Sequence, residues 1–368
     1  MNTATLTFHA SNNNGSFLQA YALQKILMDQ ININNEIIDF RTDRQLHQYS
    51  VFRKPQCVDD ILRNAISLLH YKKISSRFKK FEEMRNQYLQ MSERCKTEDQ
   101  AYEILQKYDV VICGGDQIWN TGARDFSEIY FLPRLKNKRI TYAVSCGACI
   151  REESRIKYIK HVMNFDYISV REHSIKSVLK NVGIEDVDIV LDPTLLLDKK
   201  DYEILYNRER VINKNYIFLY TINYNDDVLK SVEKLALKYD LPVYTPFTGY
   251  SAIKCYRYRI KVLYDVAPDK FLNLIHHATY VCTNSFHGIA FSIIYNKEFF
   301  RPCAFDADGQ PITDDRIDGI LNQLQINNRN IYGNHMEVQT LDYEAITMRW
   351  KKLKTYSINY LSKALKNV

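Results

Sequence analysis

Short apolar runs of strand length, rich in β-branched and aromatic residues, alternate with amphipathic stretches of helix length, and this alternation runs through the chain twice. In the first block, residues 3–8 predict a strand, 15–30 a helix and 36–40 the next strand. Charged, helical sequence at 44–107 interrupts the pattern. It resumes with strands at 109–113 and 139–146, a helix at 151–163, a strand at 166–170, a helix at 173–181 and a strand at 187–191. After Leu191-Asp192-Pro193 the alternation restarts. Strands are expected at 216–222, 241–244, 261–265, 279–282 and near Phe299, with helices at 226–239, 268–276, 285–295 and from about Asp315. Strand–helix alternation of this kind specifies open parallel sheets covered by helices. Ligands of such sheets sit at the carboxyl ends of the strands. The expected fold class is therefore α/β, with two Rossmann-like parallel-sheet domains facing a central cleft. Their bounds are 1–195, with the helical insertion 44–107, and 210–335; the linker is 192–214 and a last helix, 341–366, follows.

A chain of 368 residues suits two domains, since single cores rarely grow past roughly 250–300 residues. Eleven glycines and eight prolines argue against a turn-rich or disordered chain. The net charge of +7 favours an anionic substrate or an acidic membrane surface and falls short of a dedicated nucleic-acid binder. Scattered cysteines and the lack of any apolar run of about 18 residues point to a reducing, cytoplasmic location.

Four segments put polar or glycine residues where a strand gives way to a helix or loop. In Ser11-Asn12-Asn13-Asn14-Gly15-Ser16, a helix N-terminus with exposed amides can attract an anion, or the loop is simply a polar cap. In Gly114-Gly115-Asp116-Gln117-Ile118-Trp119-Asn120, two glycines permit close backbone approach, and Asp116, Gln117 and Asn120 offer hydrogen bonds. Neither GxGxxG nor GxxxxGK[ST] is present. Ser169-Val170-Arg171-Glu172 places an arginine suited to bidentate contact with phosphate or carboxylate, or neutralised by Glu172. Thr283-Asn284-Ser285-Phe286-His287-Gly288 brings Asn284 and Ser285 to a helix start with His287 in its first turn, where histidine can exchange a proton near neutral pH or serve structurally.

Other features carry less. Cys146 and Cys149 have CxxC spacing without a second pair, His276 and His277 read as partly exposed neighbours, and Asp314 reads first as a helix cap. In 61–81, Leu62, Ile66, Leu69, Ile74, Phe78 and Phe81 approximate one helical face among basic residues with no acid. That stretch fits either an inserted helix packed on its own domain or peripheral contact with an anionic membrane, at its inner face in a cytoplasmic protein.

Taken in order from about residue 8 to 325, the four segments resemble the polysaccharide pyruvyl transferase family, together with Leu18-Gln19-Ala20-Tyr21-Ala22-Leu23 and Leu191-Asp192-Pro193-Thr194. The resemblance implies a GT-B-like two-domain fold. It also implies transfer of the pyruvyl unit of phosphoenolpyruvate onto two hydroxyls of a sugar in a cell-surface polysaccharide precursor (capsule or exopolysaccharide), giving a cyclic ketal. On that reading His287 handles protons and Arg171 is the first choice for the donor's carboxylate or phosphate. Asn14, Gly15, Asn284, Ser285, Gln117 and Asn120 bind substrate, and Asp116 orients the acceptor or acts as a second base. Phosphoenolpyruvate is a co-substrate, and no cofactor or metal is required. The acceptor is a sugar, with a polyprenyl-diphosphate-linked oligosaccharide compatible with the basic 61–81 stretch; no nucleic acid is expected. Some relatives carry arginine two positions before the motif histidine, where this chain has Ser285, so Arg171, amides at 285–288 or a nearby lysine would compensate. The rival readings are a GT-B-like glycosyltransferase using a nucleotide sugar and a catalytically silent glycan-binding protein; an NAD-dependent oxidoreductase lacks its glycine fingerprint.

Overall fold

The computed structural model describes residues 1–147, 160–249 and 251–366, which fall into two compact units. Unit 1 comprises Met1–Tyr49, Glu83–Leu197 and Met348–Val368; unit 2 comprises Ser50–Glu82 and Asp198–Thr347. The expected insertion 44–107 is thus apportioned: its central part groups with unit 2 and its ends with unit 1. Likewise most of the last helix, Tyr343–Lys366, groups with unit 1. There Ser357 Oγ accepts from Leu191 N at 2.9 Å and the Tyr360 hydroxyl donates to the Thr141 carbonyl at 3.1 Å. The expected helix 151–163 lies outside the described residues apart from its last turn.

In unit 1, β1 (Asn2–Leu6), β2 (Asn34–Ile37), β3 (Val110–Gly114) and β4 (Lys138–Tyr142) form a parallel sheet in the order β2-β1-β3-β4. The paired strands β5 (Ile168–Val170) and β6 (Val187–Ile189) continue it through parallel bridges from Ile140 to Tyr167 and Val144 to Val170. Every residue of β3 is buried, as expected of a central parallel strand covered on both faces. The chain reverses its direction of travel across the sheet between β1 and β3, so loops 11–16 and 114–120 flank a topological switch point.

In unit 2, β7 (Ile217–Tyr220), β8 (Val243–Pro246), β9 (Lys261–Leu263), β10 (Tyr280–Thr283), β11 (Phe299–Pro302) and β12 (Asn330–Ile331) pair in parallel in the order β12-β11-β10-β7-β8-β9. This is the order of a doubly wound nucleotide-binding sheet, and its switch point falls between β7 and β10. Helices Val58–Leu69 and Tyr71–Tyr88 replace the single stripe expected across 61–81; the first ends at His70, whose backbone leaves the helical region. Ile74 packs with Phe247, Ala252 and Tyr264, and His70 stacks on the Tyr264 ring at 3.6 Å. Among the described residues no helix is long and apolar enough to cross a membrane.

Candidate functional site

In unit 1 the loop after β1 is shaped by the helix it starts. Asn13 caps helix Asn14–Lys25, its side-chain oxygen accepting from Gly15 N at 2.9 Å and Ser16 N at 3.4 Å. Nearly the whole helix is buried, so its polar residues need internal partners. Gln19 donates to Thr7 Oγ1, the Phe8 carbonyl and the Ser16 carbonyl, which ties the helix to the strand end. Asn14, 3% exposed, keeps its Oδ1 buried without a hydrogen-bond partner among the described residues. Such an atom is free to accept a hydrogen bond from a group outside the chain.

The loop after β3 meets this one directly. Ser16 Oγ donates to Asp116 Oδ2 at 2.6 Å, and the other Asp116 oxygen accepts from Gln117 N at 2.8 Å. Asn120 Nδ2 donates to Gln117 Oε1 at 2.9 Å. Gly115 has φ +88, and a β-carbon there would stand 1.9 Å from Gln19 Oε1, so only glycine lets the two loops approach.

Arg171 is buried, and its guanidinium meets Asp192 directly and Glu172 Oε1 at 3.6 Å. Burial disfavours its charge, but Asp192, Glu172 and Asp116 outweigh that and raise its pKa. Asp192 also caps the turn Pro193–Leu196, accepting from Thr194 N at 2.9 Å and Thr194 Oγ1 at 2.6 Å. Glu172 in turn accepts from Ser145 Oγ. The arginine expected to grip a donor anion is therefore paired with Asp192 through Nη1, with Glu172 Oε1 3.6 Å from its Nε. Its geometry is that of a tie between the segments 169–172 and 191–194.

Sequence reasoning passed over His9, at the end of the same strand run as the first loop. It is buried, with Nε2 at 2.9 Å from Asp39 Oδ1, and Asp39 also accepts from Arg41. Burial lowers the His9 pKa against the pull of Asp39. Burial tends to raise the Asp39 pKa, yet His9 and Arg41 hold it well below the ordinary carboxylate value. Only its place after β1 in the sequence could have drawn attention to it.

In unit 2 the loop after β10 is fixed by β7, its neighbour across the switch point. Asn284 Oδ1 accepts from Thr221 Oγ1 at 2.6 Å and Ile222 N at 3.1 Å. Thr283 Oγ1 donates to the Tyr220 carbonyl and accepts from Ser285 N at 3.1 Å. Ser285 then starts helix Phe286–Ile294 without making a side-chain capping bond, and no acidic residue lies in the first turn. The first-turn amides and the helix dipole there suit an anion. His287 is half-buried in that turn, its ring edge-on to Phe286 at 5.5 Å. A β-carbon on Gly288 would stand 2.1 Å from Thr283 Oγ1, a hydroxyl held from both sides. Gly288→Ala is expected to destabilise the protein by about 1–3 kcal/mol, read as a lowered denaturation midpoint; an unchanged midpoint would contradict this close approach.

The remaining features are structural or off the loops. Asp314 caps helix Asp315–Gln323 and pairs with Arg316. His276 and His277 are half-buried and stacked at 4.5 Å. Burial first, then Lys199 and His277, push the His276 pKa down to about 4. Cys146 is buried and its thiol pKa is raised by burial; Cys149 lies outside the described residues. Among the described residues no group of three His, Cys, Asp or Glu is placed to hold a metal ion.

A model of the polysaccharide pyruvyl transferase family matches residues 13–304, which includes Asn13–Ser16, the loop 114–120 and the His287 turn. The chain belongs to the polysaccharide pyruvyl transferase family. Membership makes it a transferase of polysaccharide synthesis. No curated protein sequence matches the chain significantly. Among solved structures it is similar to UDP-GlcNAc 2-epimerase from Methanocaldococcus jannaschii, at TM-score 0.51 and 14% identity over 95% of this chain and 92% of that one. A second structure of the same enzyme, in complex with UDP-GlcNAc and UDP, gives TM-score 0.50 and 14% identity over 96% and 93%. At that identity the likeness concerns the fold, which is two-domain, Rossmann-like and GT-B-like.

Proposed function

We propose that this pyruvyl transferase takes phosphoenolpyruvate as donor and builds a cyclic pyruvate ketal on a sugar of a cell-surface polysaccharide precursor. The family match carries the reading, together with a half-buried His287 in the first turn of a helix whose start bears no acidic residue. In the reaction, donor C2 forms two C–O bonds to acceptor oxygens and loses its C–O bond to phosphate and the π bond to the methylene carbon. Of the two hydroxyl protons released, one ends on the methylene carbon, which becomes a methyl group, and one leaves with phosphate. His287 is the group for these transfers, because imidazole both gives and takes a proton near neutral pH. The first-turn amides of Phe286, His287 and Gly288 and the helix dipole hold the donor's anionic end, the role an arginine at position 285 would otherwise share.

In unit 1, Asp116, Gln117, Asn120 and Asn14 supply hydrogen-bonding groups for the acceptor sugar, with Asp116 accepting from an acceptor hydroxyl, whereas the Gly15 amide is taken by Asn13. Arg171 acts as a positioning residue, since its Nη1 pairs with Asp192 and its Nε lies 3.6 Å from Glu172 Oε1. Preorganised amides and side-chain donors can stabilise the departing phosphate without a metal ion. The test is acceptor-dependent release of inorganic phosphate from phosphoenolpyruvate by the purified chain. Release that is absent with every glycan acceptor would overturn the donor assignment.

A further inference from the structure

The helix Val58–Leu69 is folded with its apolar side outward. Val58, Ile61, Leu62, Ala65, Leu68 and Leu69 recur at intervals of three and four, which places them on one face, and all six are exposed. Leu68 and Leu69 are 68% and 81% exposed. The other side faces the unit: Ile66 packs against the cluster around Ile74 and Phe247, and Ser67 is buried. Phe52 and Tyr71, both exposed, stack on one another at 5.9 Å, with Tyr71 two residues beyond the C-terminal end of this helix. Basic residues flank the helix in the chain: Lys54 before it, and Lys72 and Lys73 at the start of the next helix, all exposed. The nearby acids, Asp59 and Asp60, lie in the first helical turn, where Asp60 accepts from Gln56 N at 3.0 Å.

We propose that this face docks the protein on an anionic lipid bilayer, with the leucine and isoleucine side chains in the headgroup–acyl boundary and Lys54, Lys72 and Lys73 on the anionic headgroups. A soluble chain rarely leaves a continuous apolar stripe uncovered. An apolar stripe with aromatic residues and lysines at its margins is the pattern of a helix lying in the membrane interface. A second copy of the chain is a poorer occupant. A twofold interface would set this lysine-flanked patch against its own copy, like charge toward like charge, whereas anionic headgroups complement it. The surface differs from the stripe expected at 61–81, because Ile74 and Phe81 are buried and only Leu62 and Leu69 of that set are exposed. Docking would hold the enzyme where a lipid-linked sugar acceptor resides, but the interaction stands whether or not phosphoenolpyruvate is the donor.

The test is co-sedimentation of the full chain with vesicles of phosphatidylcholine alone and of an equimolar mixture with phosphatidylglycerol. The expected result is binding to the mixed vesicles, weakened by salt, and reduced at least about tenfold by Leu68→Glu with Leu69→Glu. Circular dichroism and the thermal midpoint of that variant should match wild type, since both positions are exposed. Absent binding, or binding that the double variant leaves intact, overturns the proposal. So does a wild-type dimer in light scattering that the same variant dissociates while vesicles remain unbound, because the face would then join two copies of the chain.

Discussion

His287→Ala is expected to fold normally and to lose about 10²–10⁴-fold in phosphate release from phosphoenolpyruvate. Folding should survive because the ring is half-buried in a first helical turn, where alanine is readily accepted. The strand end that carries it is fixed by other groups, Asn284 on Thr221 and Thr283 on the Tyr220 carbonyl. The loss should fall on kcat, as proton transfer is made in the transition state rather than in the bound ground state. A folded variant with near-normal turnover would remove His287 from the chemistry. A variant with unchanged kcat and a raised KM would make it a binding group instead.

Arg171→Ala should fail differently, through stability. Removing the guanidinium leaves Asp192 and Glu172 buried and uncompensated, with Asp116 close enough to add to the repulsion. Breaking a buried pair in this way costs roughly 3–5 kcal/mol, to be measured by chemical denaturation. The Pro193–Leu196 turn, capped by Asp192, should loosen with it. If the variant instead keeps the wild-type denaturation midpoint and shows only a raised donor KM, Arg171 contacts the donor and the ion-pair account is wrong.

Much of the architecture was legible because its signals are local. The alternation of apolar runs and amphipathic stretches marks strands and helices, and Pro268 and Asn13 mark helix starts by residue type. The positions of Asn14, Asp116 and His287 at strand ends follow from the same alternation. What escaped depends on pairing between distant residues. Nothing near Arg171 in sequence announces that Asp192, twenty-one positions on, neutralises it. Ser16 and Asp116 are a hundred residues apart, and the tie between Thr221 and Asn284 requires knowing that β7 and β10 are neighbours. The helical stripe in 61–81 misled for a related reason. Periodicity shows which residues share a face, but the break at His70 and the packing of Ile66, Ile74 and Phe78 decide which face is covered.

Pyruvyl transfer from phosphoenolpyruvate to a sugar is read by mass spectrometry of glycan acceptors incubated with the chain and either phosphoenolpyruvate or nucleotide sugars. The expected product gains the mass of pyruvate less one water, only with phosphoenolpyruvate, and in step with phosphate release. An acceptor that gains a sugar residue from a nucleotide sugar, and nothing from phosphoenolpyruvate, would contradict it.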